Sequence, residues 1–243
     1  MNISVIIPAR YQSSRLPGKP LLNIAGKPMI VKTYQQCAKA FDREIIYVAT
    51  DDYRIKEVCE SYDINVIMTS KDCKTGTDRV AECAKYLSSD TFINVQGDEP
   101  IFNPDDLKNF LAAVQNYPGE VLNGYCSLED REAFQSLHVP KVVFRQDERL
   151  LYMSRAPIPA SKNQSLVKAW RQVCVYAFPR DSLKAYAAEK KKSELEAIED
   201  IEILRFLELG WDVRMIKLSS DSVSVDNPGD IIKVERLIRE RGL

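Results

Sequence analysis

Histidine is nearly missing from this chain: His138 is the only one among 243 residues. That excludes a histidine-rich zinc centre and leaves at most one imidazole as a general base. Six cysteines occur, Cys37, Cys59, Cys73, Cys83, Cys126 and Cys174, but no two are spaced as Cys-x-x-Cys. Reduced thiols packed on helices and strands are therefore expected, not a thiolate metal site or a disulfide framework. No apolar stretch approaches the ~20 residues that span a bilayer. No excess of charge exists either, since 34 Lys and Arg face 35 Asp and Glu, a formal net charge of −1. Global attraction to nucleic acid or to an anionic membrane is thereby excluded, and any basic site must be local. Internal repeats and low-complexity tracts are absent too. Met1-Asn2 runs straight into a strand-like stretch, which leads us to expect no signal peptide and a cytoplasmic location. What remains for chemistry is carboxylates, Arg, Lys and the backbone.

The length allows a real core, and the 45% hydrophobic share is that of an ordinary globular chain. Apolar strand-like runs at Ile3–Ile7, Ile45–Ala49, Asn65–Met68 and Phe92–Val95 alternate with helical patterns. Those patterns are a first around Ile30 to Phe41, a second over Asp52–Tyr62, a third over Asp78–Leu87, and a fourth from Pro104 with Asn103 as its cap. This alternation predicts an α/β fold with a mainly parallel sheet covered on both faces. The second half is richer in strands, at Glu120–Cys126, Lys141–Phe144, Arg171–Phe178 and Val213–Leu218. A helical block over Glu194–Leu209 and a last helix over Gly229–Arg241 accompany them, and Ala156–Ser165 reads as an exposed loop. We expect one domain over 1–243, with a mixed-strand subregion inserted.

In an open α/β sheet, ligands bind outside the carboxyl ends of the strands. The loop Pro8-Ala9-Arg10 to Arg15-Leu16-Pro17-Gly18-Lys19-Pro20 leaves the first strand there, carrying Arg10, Arg15 and Lys19. Fixed cations with a glycine that lets the backbone close on oxygen atoms suit phosphates. It is not a Walker loop, because Pro20 follows Lys19 where a Ser or Thr would stand. Thr50-Asp51-Asp52, Thr69-Ser70 and Gln96-Gly97-Asp98-Glu99-Pro100 exit at the same rim. Asp98 paired with Asp226, of Val225-Asp226-Asn227-Pro228, meets the needs of Mg²⁺, which takes one or two carboxylates plus substrate phosphates. Asp226 could equally cap the last helix, a job for which Asn227 competes. In Lys74-Thr75-Gly76-Thr77-Asp78-Arg79, Thr77 is the expected helix cap, while Thr75 and Gly76 would present groups suited to reading a base edge. Arg155 could clamp an anion bidentately or be an ordinary surface Arg. Glu199, Glu202 and Arg205 at three-residue spacing fit either a solvated helix face or a polyol-binding one.

The string Ile6-Ile7-Pro8-Ala9-Arg10-Tyr11-Gln12-Ser13-Ser14-Arg15-Leu16-Pro17-Gly18-Lys19-Pro20-Leu21 resembles the opening of the 3-deoxy-manno-octulosonate (KDO) cytidylyltransferases. So do Val48-Ala49-Thr50-Asp51-Asp52, Thr75-Gly76-Thr77-Asp78-Arg79, Asn94-Val95-Gln96-Gly97-Asp98-Glu99-Pro100, Ser154-Arg155-Ala156-Pro157-Ile158-Pro159 and Val225-Asp226-Asn227-Pro228. The motifs fall in the family's order along nearly the whole chain. The resemblance implies a Rossmann-like, GT-A-type fold and cytidylyl transfer from CTP to a 2-keto-3-deoxy sugar acid, with Mg²⁺ and release of pyrophosphate. It also implies a homodimer formed through the mixed strands, and a place upstream of surface polysaccharide such as lipopolysaccharide or capsule. It implies that Arg10, Arg15 and Lys19 hold the triphosphate, that Thr75, Gly76 and Arg79 flank the cytosine, and that Asp98 and Asp226 hold the metal. Lys19, Arg10 and the two aspartates would carry the catalysis, and Gln96 would touch the sugar.

Departures fall on the acceptor side. Where the family has a His-x-Gly, this chain has Gln172 and Cys174, and Ile203 replaces a Gln after the matched Glu199 and Glu202. The acceptor could therefore be KDO, an 8-amino analogue or a nonulosonate, with Arg155, Gln172, Glu199 and Glu202 beside it. A CTP-binding protein without transferase activity is the rival reading. A glycosyltransferase using a ready-made nucleotide sugar is disfavoured by the three-cation loop.

Overall fold

A computed structural model describes residues 1–12, 16–163 and 165–242. The first half runs β1 (Ile3–Ala9), the antiparallel pair β2 (Asn23–Ile24) and β3 (Lys27–Pro28), then α1 (Met29–Cys37). It continues through β4 (Ile46–Thr50), α2 (Tyr53–Glu60), β5 (Asn65–Met68), α3 (Gly76–Cys83), β6 (Thr91–Val95) and α4 (Pro104–Asn116). The second half runs β7 (Val121–Leu128), α5 (Arg131–Gln135), β8 (Lys141–Phe144), β9 (Leu150–Ser154) and β10 (Ala169–Pro179). After these come α6 (Arg180–Ala188), α7 (Glu194–Glu199), α8 (Ile203–Glu208), β11 (Val213–Lys217) and α9 (Pro228–Arg241).

The main sheet has the order β11-β7-β10-β6-β1-β4-β5. β1 is parallel to β4 and to β6, β4 to β5, and β11 to β7. β10 alone runs against its neighbours β6 and β7. The β8–β9 pair, also antiparallel, attaches to β10 where Lys141 faces Arg171. This is an α/β fold with a mostly parallel sheet and an antiparallel subregion, as the alternating pattern predicts.

Period-two alternation distributes each strand between two cores. Val5 and Ile7 of β1 face one layer with Ile30 and Tyr34 of α1, Ile55 of α2 and Phe110 of α4. Ile6 faces the other layer with Val80 of α3, Tyr186 of α6 and Phe206 of α8. All of these side chains are buried, and each large apolar one contributes about 1.5–3 kcal/mol by leaving water. A smaller third core seats α9, through Val234 and Ile238, on Ile24, Met29, Ile101 and Val225. That contact fixes the chain just before α9 against the exits of β1 and β6.

Sequence and structure part company in several places. The block 194–209 is two helices, because Asp200 takes a left-handed conformation (φ 52°) between them. β9 and α6 were not anticipated. Their residues carry no clean alternation or cap; Pro179, at the N-cap of α6, makes no side-chain cap bond. Thr75, not Thr77, caps α3, in a reciprocal box with Asp78. The trio Glu199, Glu202 and Arg205 consequently shares no helix face.

Candidate active site

Four parallel strands end at one rim, and the chain leaving β1, β5 and β6 lines a cleft of about 260 Å³ there. Arg10 follows β1, Gln96-Gly97-Asp98 follows β6, and Thr75, Gly76 and Arg79 come from the start of α3. Close approach of the β1 and β6 exits requires glycine at 97, since a Cβ there would lie 2.7 Å from Pro8 O. Gly18, at φ +70°, turns the chain into the short 3-10 turn that carries Lys19.

Lys19 is the centre of the arrangement. Its Nζ lies 2.7 Å from Asp98 Oδ2, 2.9 Å from Val225 O and 3.5 Å from Asp226 Oδ1. The backbone is tied as well, with Val225 N donating to Asp98 O at 2.9 Å. Asn227, not Asp226, caps α9, in a box with Asp230, so the cap competition leaves the Asp226 carboxylate at the cleft. Two carboxylates more than a hundred residues apart in sequence thus share one cation. Hard oxygen donors already gathered around an ammonium are the donor set Mg²⁺ uses. Among the described residues no group of three or more His, Cys, Asp and Glu could hold a metal ion. Water and substrate oxygen atoms would complete the coordination of an ion on Asp98 and Asp226, so the pair fits magnesium.

Arg79 is buried beneath the rim. It donates to Thr69 Oγ1 and lies 3.4 Å from Asp51 Oδ1, which fixes the guanidinium from two strand exits. Glu202 closes the other side: its carboxylate accepts from Gly76 N at 3.2 Å and Thr77 N at 2.7 Å, at the positive end of α3. Burial pushes the Glu202 carboxyl above its ordinary range, and the bonds from the Thr77 hydroxyl and amide oppose that shift. Behind it, Arg205 and Glu196 form a buried two-pronged ion pair, with Nη2–Oε1 2.8 Å, and Tyr186 stacks on the guanidinium at 3.7 Å. Lys192 and Asp200 also line the cleft, paired with each other. The sequence reading missed both; the run Lys190-Lys191-Lys192 was the available signal.

Not every candidate reaches this cleft. Arg15 lies outside the described residues. The Arg155 guanidinium donates to three main-chain carbonyls, those of Leu137 (2.9 Å), Glu199 (2.5 Å) and Asp200 (3.0 Å), which engages three of its five N–H groups, and it does not line this cleft. Glu199 points to β9, accepting from Ser154 Oγ at 2.6 Å and Arg155 N at 2.9 Å, a bracing contact and not a lining one. Gln172 is buried on β10, its Nε2 bonded to Asn123 Oδ1 at 3.0 Å. Asn123 in turn donates to Val173 O and Val175 O where the β7–β10 register shifts. Gln96 lines the cleft. Glu99, next to Asp98, is buried, its Oε2 has no hydrogen-bond partner among the described residues, and its carboxyl is pushed up to about 7 by burial and by the Asp98 charge.

Known proteins resemble this chain along nearly its whole length. A family model described as cytidylyltransferase matches residues 4–216. An 8-amino-3,8-dideoxy-manno-octulosonate cytidylyltransferase from Shewanella oneidensis is 40% identical over 242 residues, covering 97% of this chain and 98% of the relative. A solved structure of CMP:2-keto-3-deoxy-manno-octonic acid synthetase complexed with CTP superposes with a TM-score of 0.92 at 34% identity, covering 99% of this chain and 100% of that one. A cytidylyltransferase from Leptospira borgpetersenii, at 15% identity and TM-score 0.66, shares the fold; it covers 99% of this chain and 87% of that one. The chain belongs to the cytidylyltransferase family.

Proposed function

We propose that this enzyme transfers the cytidylyl group of CTP to the anomeric hydroxyl of an octulosonate-type keto sugar acid. The hydroxyl oxygen attacks the α-phosphorus in line and gives up its proton to solvent, the bond from that phosphorus to the bridging oxygen breaks, and pyrophosphate leaves with the electron pair. The meeting of Lys19, Asp98 and Asp226 in the cleft carries this reading, because phosphoryl-type transfer runs chiefly on positioning and charge neutralisation. Arg10, Arg15 and Lys19 hold the triphosphate. Thr75, Gly76 and Arg79 stand beside the base, and Gln96 faces the sugar. Asp98 and Asp226 hold Mg²⁺, which when bound supplies Lewis-acid stabilisation of phosphate charge. Arg79, locked by Thr69 and Asp51, keeps the base side of the cleft rigid.

The relative at 40% identity is named for an 8-amino acceptor, and the structural neighbour at 34% for the octonic acid itself. The higher identity favours the amino sugar. Pyrophosphate release measured with each of the four nucleoside triphosphates, against KDO, its 8-amino analogue and a nonulosonate, decides the matter. CTP-dependent release with an octulosonate supports the reading; CTP binding with no release from any acid refutes it. We also propose a homodimer through the β8–β9 region, where Leu137 and Leu151 are exposed. A monomer mass by light scattering would reject it.

A further inference from the structure

Away from the strand exits, a second cleft of about 280 Å³ opens between α1, the turn at Arg43, the loop after β6 and α9. Its rim is cationic. Lys32 lies on α1 and Lys39 just past its C-terminal end, and Arg43 joins them. Its floor is apolar, formed by Pro100, Ile101 and Ile238, all buried. No Asp or Glu lines it.

These charges are poorly compensated. Among the described residues neither Lys32 nor Arg43 forms an ion pair, and Lys39 Nζ donates to the neutral Gln36 Oε1 at 3.0 Å. Glu235 on α9 partly offsets the Lys32 charge, and its Oε1 also accepts from Ala25 N at 3.0 Å. Burial first, then Lys27 and Lys39, pull the Lys32 ammonium below its usual range. Cations held together over an apolar floor cost free energy that a counter-ion recovers. An ordinary solvated basic face would have no concavity and no buried isoleucines beneath it.

We propose that this cleft binds a small organic phosphate, with the phosphoryl group on Lys32, Lys39 and Arg43 and the carbon body on Ile101 and Ile238. The volume of about 280 Å³ sits near the lower end of the ~300–1,000 Å³ typical of small-molecule pockets. Arg43 supplies the planar fork that phosphate prefers, and the lysines add point charge.

Calorimetric titration of the full chain with phenyl phosphate and with inorganic phosphate tests this. The double variant Lys32→Ala/Arg43→Ala should weaken phenyl phosphate binding by at least about tenfold, the loss expected for charge-assisted bonds. Lys19→Ala, which alters the strand-exit cleft, should leave that binding in place. Inorganic phosphate should bind more weakly than phenyl phosphate, since it gains nothing from the floor. No binding by the unaltered chain, unchanged affinity in the double variant, or loss only in Lys19→Ala would each overturn the proposal. Equal affinity for the two probes would overturn the role of the apolar floor.

Discussion

The Lys19 ammonium sits 2.7 Å from the Asp98 carboxylate, joining the loop after the first strand to the loop after β6. The same ammonium reaches Asp226 at 3.5 Å, so three distant segments are clamped by one cation. This contact is partly buried on both sides, where opposite charges count for more than at an open surface.

Asp98→Asn keeps the shape of the side chain and removes its charge. Turnover should fall by roughly 10²–10³-fold, in line with the loss of one electrostatic stabiliser of phosphate charge. The melting temperature should change little. Pyrophosphate release by the unaltered enzyme should stop on chelation of divalent ions and return with added Mg²⁺; persistence under chelation would contradict the assignment.

The Glu196–Arg205 pair is a matter of stability. Both side chains are essentially out of water. Glu196→Gln leaves the guanidinium with only the more distant Asp78 carboxylate, at 3.6 Å, and should lower the unfolding free energy by up to about 3–5 kcal/mol, read by urea denaturation. Arg205→Met together with Glu196→Met removes both charges and should recover a large part of that loss.

Glu202 gives a pH signature. Its carboxyl titrates above the ordinary range because it is buried, so the folded state binds its proton more tightly than the unfolded chain does. The resulting stability is present in full below the ordinary carboxylate value and is lost as pH rises through the raised one. The melting temperature of the unaltered chain relative to Glu202→Gln should therefore drop as pH increases across that window. A constant difference would show that Glu202 does not titrate there.

Cys73 is only partly buried yet should resist alkylation. Burial, and next the Glu82 carboxylate at 3.1 Å, push its thiol up to about 12, so little thiolate exists at neutral pH. Iodoacetamide labelling at pH 8, followed by mass spectrometry, should be slow at this residue and faster in Glu82→Gln.

Much of this arrangement was legible in the residues themselves. The apolar runs of β1, β4, β5 and β6, each followed by polar or charged residues, located the rim, because parallel strands place their exits on one side. Asn227 and Asp226 side by side posed the cap question that the structure answers by geometry. Less visible were contacts made across the fold. Nothing in the spacing of Glu199, Glu202 and Arg205 announces that Asp200 breaks the helix and sends the three to different partners. Arg155 looked like a clamp because a lone arginine beside a loop always does; its commitment to three carbonyls is set by where β9 and α7 meet. Gln172 likewise serves a register shift between β7 and β10, which no local pattern encodes.

The seating of α9 on the third small core has an order-of-assembly consequence. All the main-sheet strands are complete by Lys217, but the second aspartate of the cleft is delivered only afterwards, and it is held in place by a helix later still. A growing polypeptide could thus finish its architecture while remaining chemically blank, and acquire its reactive centre as almost the last act of folding.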